Sequence, residues 1–278
     1  MVASYIHSHY KISITRSCQL SSLARSNYYR EKQRKPVDDE IVSTLKRLAS
    51  QHKRWGCDKM TAYLRNQEKP WNHKRIRRIY TQLALNIKVK PKRHFAKVSP
   101  ECLFQPIYKN VCWSIDFMSD ALIGGTKFRT FNAIDDYNRK AIGIAVAFSM
   151  PATFVTKQLD EWCAIHGYPE MLRTDNGPEF ISAHFQKWAA QHKIQLRHIQ
   201  PGKPAQNAFI ERFNRTYRGD VLDANQFGSL NEVEAITQPW IIEYNTIRPH
   251  QSLANLPPDQ FAAKREHYIE RILMKKAS

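Results

Sequence analysis

Residues 173–180, RTDNGPEF, follow the short apolar pair Met171 and Leu172 and carry Asp-Asn-Gly-Pro at their centre. Glycine tolerates the backbone of a tight turn and proline suits the first turn of a helix, so the stretch reads as the junction between a strand over 171–174 and a helix over 180–192. One question decides the fold. Asp175 either shapes that turn and nothing more, or is a carboxylate held at a strand end where a metal ion needs it.

Upstream of the junction, the runs VCWSIDFM (111–118), FRTFNAID (128–135) and KAIGIAVAF (140–148) are β-branched or aromatic and are separated by the turn residues IGG and DDYN. They predict a three-stranded meander. From residue 153 the pattern alternates helix (153–166), strand (171–174), helix (180–192), strand (195–199) and helix (208–221), the signature of an α/β layer. A last helix over 231–244 precedes a Pro-rich tail. The expected body is a mixed five-stranded sheet flanked by helices, without internal repeats.

The N-terminal third differs in kind. Of 43 Lys and Arg and 25 Asp and Glu in the chain, 23 basic but only 6 acidic side chains fall within residues 1–99. An excess so confined marks a region that meets a polyanion. No run approaches the roughly 20 apolar residues of a membrane helix, so nucleic acid is the expected polyanion.

Residues 12–30 read as two short helices around a Ser-Ser break. From Pro36 the spacing of Ile41, Leu45, Leu48 and Ala49 predicts a helix, a second is expected over 58–65 after Gly56, and a third begins at Asn72 in NHKRIRRIYTQL. The third sets Ile76, Ile79, Tyr80 and Leu83 on one face and Lys74, Arg75, Arg77 and Arg78 on the other, the outline of a helix-turn-helix. Residues 85–110 read as a basic, Pro-containing linker. Five scattered cysteines without a Cys-x-x-Cys pair fit neither a disulfide framework nor a zinc site. The first residues lack a secretory pattern, and the chain is expected in the cytoplasm, on the nucleoid.

Three carboxylates fall where this order of elements brings positions together: Asp116 inside the first strand, Asp175 after the fourth, and Glu211 one turn into the helix that follows PGKPAQN. An ionised Asp116 amid Trp113, Ile115, Phe117 and Met118 costs several kcal/mol of desolvation unless another charge compensates. In the last of these helices Ile210, Phe213, Tyr217 and Val221 form the buried stripe, which leaves Glu211 on the polar side in line with Asn207 and Arg215. Singly, each acid also has a structural reading: turn shaping for Asp175, a buried arginine beside Asp116, a helix N-terminus for Glu211. Asp135 and Asp136 read as structural, bonding turn amides or Arg139, and the isolated His250 reads as no ligand.

Together these motifs resemble a known family. Thirty-five residues lie between Asp175 and Glu211, which looks like the D,D(35)E spacing of integrases and related transposases. WSIDFM, NAIDDYNR, RTDNGPEF, PGKPAQNAFIERFNRTYR and YNTIRPHQSL are similar to the second-reading-frame (OrfB) product of the insertion-sequence transposases of the IS three family, over most of the chain. The resemblance implies a ribonuclease-H-like catalytic core, preceded by an all-α helix-turn-helix region, in which Asp116, Asp175 and Glu211 bind two Mg²⁺ ions, with Mn²⁺ as a substitute. It implies that water nicks an element end and that the freed 3′-OH attacks a target phosphate. It also implies that Arg218, seven residues after Glu211, contacts DNA phosphate, with Lys203, Asn207 and Arg215 as further candidates beside Lys74, Arg75, Arg77 and Arg78.

Double-stranded DNA, as element ends and as target, is the implied partner. The protein is expected to act as a homo-oligomer, with the upstream reading-frame product as fusion or partner. On this reading the chain divides into a helical region (1–35), a basic helix-turn-helix domain (36–84), a linker (85–110), the catalytic core (111–225) and a helix and tail that complete it (226–278). Two rivals share these motifs: a hydrolytic nuclease of the same fold, and a DNA-binding regulator without catalysis.

Overall fold

The computed structural model describes residues 2–29, 36–87, 105–200 and 204–277. The chain divides into two compact units, residues 1–47 and 48–278. In the first, α1 (Val2–Tyr10), α2 (Ile14–Leu20) and α3 (Arg25–Tyr29) precede α4 (Pro36–Gln51). α2 starts where the Ser13 hydroxyl accepts the Arg16 N–H at 3.3 Å, and Ser22, with φ 51°, makes the break before α3. α1 buries only Ala3, so it lacks the apolar stripe by which a helix announces itself in sequence, and it was not among the expected elements.

The second unit opens with the last turn of α4, from Leu48, and continues with α5 (Cys57–Asn66) and α6 (His73–Gln82). α6 begins where Asn72 accepts the Lys74 N–H at 2.9 Å; Ile76, Ile79 and Tyr80 are buried while Lys74, Arg77 and Arg78 stay exposed. Residues 88–104 of the expected linker, and Lys203, lie outside the described residues.

Five strands, β1 (Cys112–Ala121), β2 (Lys127–Asp135), β3 (Ala141–Ala147), β4 (Met171–Thr174) and β5 (Gln195–His198), form one sheet in the order β3-β2-β1-β4-β5. The first three are antiparallel neighbours, as the meander predicts; β4 is parallel to β1 and β5 parallel to β4. The flanking helices are α7 (Ala152–His166), α8 (Pro178–Ile181), α9 (Ala183–Gln191), α10 (Ala208–Tyr217), α11 (Leu230–Thr246) and α12 (Pro258–Ala277).

The pleat sends alternate side chains into two cores. One joins Trp113, Ile115 and Phe131 of the sheet to Leu159 of α7 and Phe185 and Trp188 of α9. The other joins Phe128, Ile134 and Ile144 to Ile210 and Phe213 of α10 and Trp240 of α11. Each such side chain, fully buried, contributes about 1.5–3 kcal/mol. In the first core the Trp162 ring stacks on Phe131 at 5.2 Å between centroids and lies over Gly143, where a Cβ would meet the indole at 2.3 Å.

Three expected elements come out differently. The helix over 180–192 is broken: Ser182 has ψ 145°, ends α8, and its hydroxyl caps α9 by accepting the Phe185 N–H at 3.2 Å. The helix expected to reach Val221 leaves α geometry at Arg218 for a π-helical turn, Arg218–Leu222. The Pro-rich tail is largely helix: a short 3₁₀ turn, Gln251–Leu253, leads to α12, which opens with Pro258 and Asp259, residues suited to a first helical turn. Among the described residues no helix is long and apolar enough to cross a membrane.

Gly143→Ala is expected to destabilise the fold by about 1–3 kcal/mol through overpacking against Trp162. An unchanged urea midpoint would show that the indole moves aside freely. A second expectation concerns His250, which is half-buried beside Tyr244 with 4.6 Å between ring centroids. Burial first, then the charges of Arg248 and Lys59, push its imidazole down to about 3 from an ordinary 6.5. The unfolded chain therefore binds the proton more readily, so the stability held by neutral His250 is complete above about pH 6.5 and is lost as pH falls toward 3. His250→Gln should flatten the acid side of the stability profile relative to wild type; parallel profiles would exclude this histidine as a contributor.

Candidate active site

Strand register brings the first two carboxylates to one place. β1 and β4 pair in parallel with Ser114 opposite Arg173, and Asp116 and Asp175 each stand two residues further along. Period-two alternation carries Asp116 to the side of Ser114, the face that α10 covers. Asp175 follows the last residue of β4, and its Oδ1 accepts the Gly177 N–H at 2.9 Å. The turn that ends the strand is therefore also what orients the carboxylate.

A buried ion pair underlies this register. Asp136, at the β2–β3 turn, accepts the Ser114 hydroxyl at 2.7 Å and the Arg173 guanidinium at 2.7 Å, with both charged side chains almost wholly buried. Burial pushes the Asp136 carboxyl up, and Arg173 opposes that shift. Asp135 binds turn amides, accepting the Asn110 N–H and the Tyr137 N–H at 2.8 Å each, while Arg139 donates to the Asp136 carbonyl. Both acids thus have the structural work read from sequence, with Arg173 as a partner that reading missed.

Asp116 is half-buried and held at both oxygens: Oδ1 accepts the Phe117 N–H and Oδ2 accepts the Asn214 amide, each at 2.8 Å. Asn214 in turn accepts the Asn132 amide at 2.8 Å, and Asn132 is the β2 residue opposite Asp116. Burial, then the negative charges of Asp175 and Glu211, push the Asp116 carboxyl up to about 6, against the two hydrogen bonds. Neither asparagine was singled out from sequence. The available signal was Asn132 itself, an amide at a core-facing position inside an apolar strand.

On α10 the predicted stripe of Ile210, Phe213 and Tyr217 is buried, and Glu211 and Arg215 are exposed one turn apart. Asn207 departs from that polar line. It is buried, and its amide oxygen has no hydrogen-bond partner among the described residues. Arg218 donates to the Ser119 carbonyl at 2.8 Å and lies 3.3 Å from the Asp120 carboxylate, both on β1. On α6, Arg77 pairs with Asp58 at 2.7 Å and Arg75 is half-buried. Among the described residues, no group of three or more His, Cys, Asp or Glu is already closed tightly enough to hold a metal ion.

Residues 108–204 and 192–258 match two models of the integrase core domain, and residues 36–94 match an HTH-like domain. The chain is 35% identical to the insertion element IS407 uncharacterized 31.7 kDa protein of Burkholderia multivorans, over 91% of each chain. It is 35% identical to the insertion element IS476 uncharacterized 39.2 kDa protein of Xanthomonas euvesicatoria, over 92% of this chain and 74% of that one. With the transposase InsF for insertion sequence IS3A of Escherichia coli it shares 24% identity over 91% of this chain and 95% of that one. Its fold is similar to a chain of the simian T-cell lymphotropic virus intasome solved in complex with PP2A regulatory subunit B56 gamma, with TM-score 0.52 and 16% identity, covering 78% of this chain and 73% of that chain.

Arg173→Met should cost about 3–5 kcal/mol, because it leaves Asp136 buried without its partner. Adding Asp136→Asn should return a large part of that loss in urea unfolding. If the double variant is as unstable as the single one, the pair's charge balance is not what Arg173 supplies.

Proposed function

The chain belongs to the insertion-sequence transposases of the IS three family, and we propose that Asp116, Asp175 and Glu211 carry its chemistry. As a DDE transposase, a polynucleotidyl transferase, it cleaves a donor strand with water and then joins the freed 3′-OH to target DNA. Both steps are in-line displacements at phosphorus without a protein nucleophile. The observation that carries the site assignment is geometric: the parallel register of β1 and β4 brings Asp116 and Asp175 to neighbouring strand positions, and Asn214, one turn after Glu211 on α10, donates to Asp116 at 2.8 Å.

Three carboxylates are hard oxygen donors, suited to Mg²⁺ or Mn²⁺ rather than to a thiolate-seeking metal. Their fit to such a cation is supported by Asp116, whose neighbours supply negative charge and hydrogen bonds but no cationic partner within ion-pair distance among the described residues. Two divalent ions bound there would activate the attacking oxygen and stabilise the leaving oxygen. The chain's own residues set the stage for this. The Asn214 amide and the Phe117 N–H fix both Asp116 oxygens, and the Gly177 N–H fixes Asp175. Removing such supporting bonds commonly costs 10–100-fold in metal affinity or activity.

DNA recognition is assigned to Lys74, Arg75, Arg77 and Arg78 of α6, within a helix-turn-helix domain over 36–84. Arg215 and Arg218 of the core, with Lys203 before α10, are assigned to phosphates near the reacting strand; Asn207, buried, drops out of that set. Oligomerisation on the DNA ends, and fusion or association with the upstream reading-frame product, complete the reading.

The decisive assay supplies Mg²⁺ or Mn²⁺, a plasmid target and labelled end DNA with a free 3′-OH. Wild type is expected to join label to plasmid, and Asp175→Asn to join none. Glu211→Gln should abolish cleavage and joining while DNA affinity stays within a few-fold. If affinity fell in step with activity, Glu211 would be a DNA contact and not part of the reaction centre.

A further inference from the structure

A cleft of ≈ 1140 Å³ in the second unit lies away from the three carboxylates, between α5, α6 and residues 249–255. Helical spacing gives it two walls. Asp58, Thr61 and Arg65 recur along α5, and His73, Arg77 and Thr81 along α6; Gln251 and Asn255 of the catalytic body close the third side. Asn66 ties the walls together by donating its amide to the Asn255 carbonyl at 2.8 Å. Ala254 and Asn255 both have left-handed backbone, with φ of 54° and 64°, which turns the chain there.

The charges lining this cleft are unbalanced. Arg54, Lys59, Arg65 and Arg77 face one carboxylate, Asp58, which Arg77 already engages. Arg65 is exposed on its wall. Burial first, then Arg248, push the Lys59 ammonium down to about 8, and Asp220 opposes that shift only in part. At this size the cleft exceeds the usual 300–1,000 Å³ of a small-molecule pocket and suits a stretch of polymer.

We infer that this cleft seats the sugar-phosphate backbone of duplex DNA, so that one stretch of DNA touches the helix-turn-helix and the 249–255 segment of the catalytic body together. Lys59 and Arg65 are the phosphate contacts, and the exposed amides of Gln251 and Asn255 are donors to the same backbone. The choice of DNA among polyanions rests on the transposase reading. The cleft itself does not.

Cys57 lines the cleft and offers a probe, since Cys18, Cys112 and Cys163 are buried. In a Cys102→Ser background, maleimide labelling of Cys57 is followed with no polyanion, with a blunt DNA duplex, and with polyglutamate. DNA is expected to slow labelling several-fold and polyglutamate to leave it unchanged. Lys59→Gln with Arg65→Gln should lower the slope of log affinity against log salt by about 1.8, at 0.9 per phosphate contact, and Arg65→Lys should restore its share. Equal protection by polyglutamate overturns DNA as the occupant, and unprotected Cys57 or an unchanged slope overturns the cleft as a site. Strand joining measured on the same preparation separates the two readings: joining with unprotected Cys57 sinks the cleft alone, and protection without joining sinks strand transfer by the unfused chain alone.

Discussion

The buried ion pair between Asp136 and Arg173 is the constraint that sets where the carboxylates Asp116 and Asp175 stand. Ser114 and Arg173 are opposite one another in the parallel pairing of β1 and β4, and Asp136 accepts from both. A slip of β4 by one residue would strand a guanidinium and a carboxylate in a place without water, at a cost of several kcal/mol. The pairing is short, and β4 has only four residues, so backbone hydrogen bonds alone hold its register weakly. Fixed charge chemistry two residues upstream thereby sets where Asp116 and Asp175 stand.

α10 meets these carboxylates with two unlike sides. Its buried side, Ile210, Phe213 and Tyr217, seats the helix on the sheet, and Tyr217 anchors it further through its hydroxyl, 2.7 Å from that of Thr237. Once the helix is seated, Asn214 can reach Asp116 across 2.8 Å while Glu211, one turn earlier, faces solvent. Packing and polar placement are thus not separable here: the apolar stripe aims the amide.

Much of this was legible in the sequence, for identifiable reasons. Strand alternation announces the meander, the apolar stripe of α10 announces its orientation, and the spacing between Asp175 and Glu211 announces the family. What escaped is non-local or depends on backbone geometry. Asn214 and Asp116 are 98 residues apart, as are Arg218 and Asp120, and Arg173 and Asp136 are 37 apart; no local pattern ties such partners. The break at Ser182 turns on one ψ angle, and the π-helical turn after Tyr217 is invisible to a search for period 3.6. Pro257 and Pro258 read as the mark of an irregular tail, whereas Pro258 opens a 20-residue helix.

The π-helical turn also places Asp220 where several donors meet. Arg248 and the Trp240 indole both donate to its Oδ2, and Arg54, from the loop before α5, approaches Oδ1 at 4.0 Å. A hydrophobic contact degrades gradually as side chains are trimmed, because many small attractions are lost one at a time. A carboxylate shared by donors from three segments has no such tolerance. Loss of the carboxylate at position 220 would therefore remove the partner of Arg248, of the Trp240 indole and of Arg54 in one event.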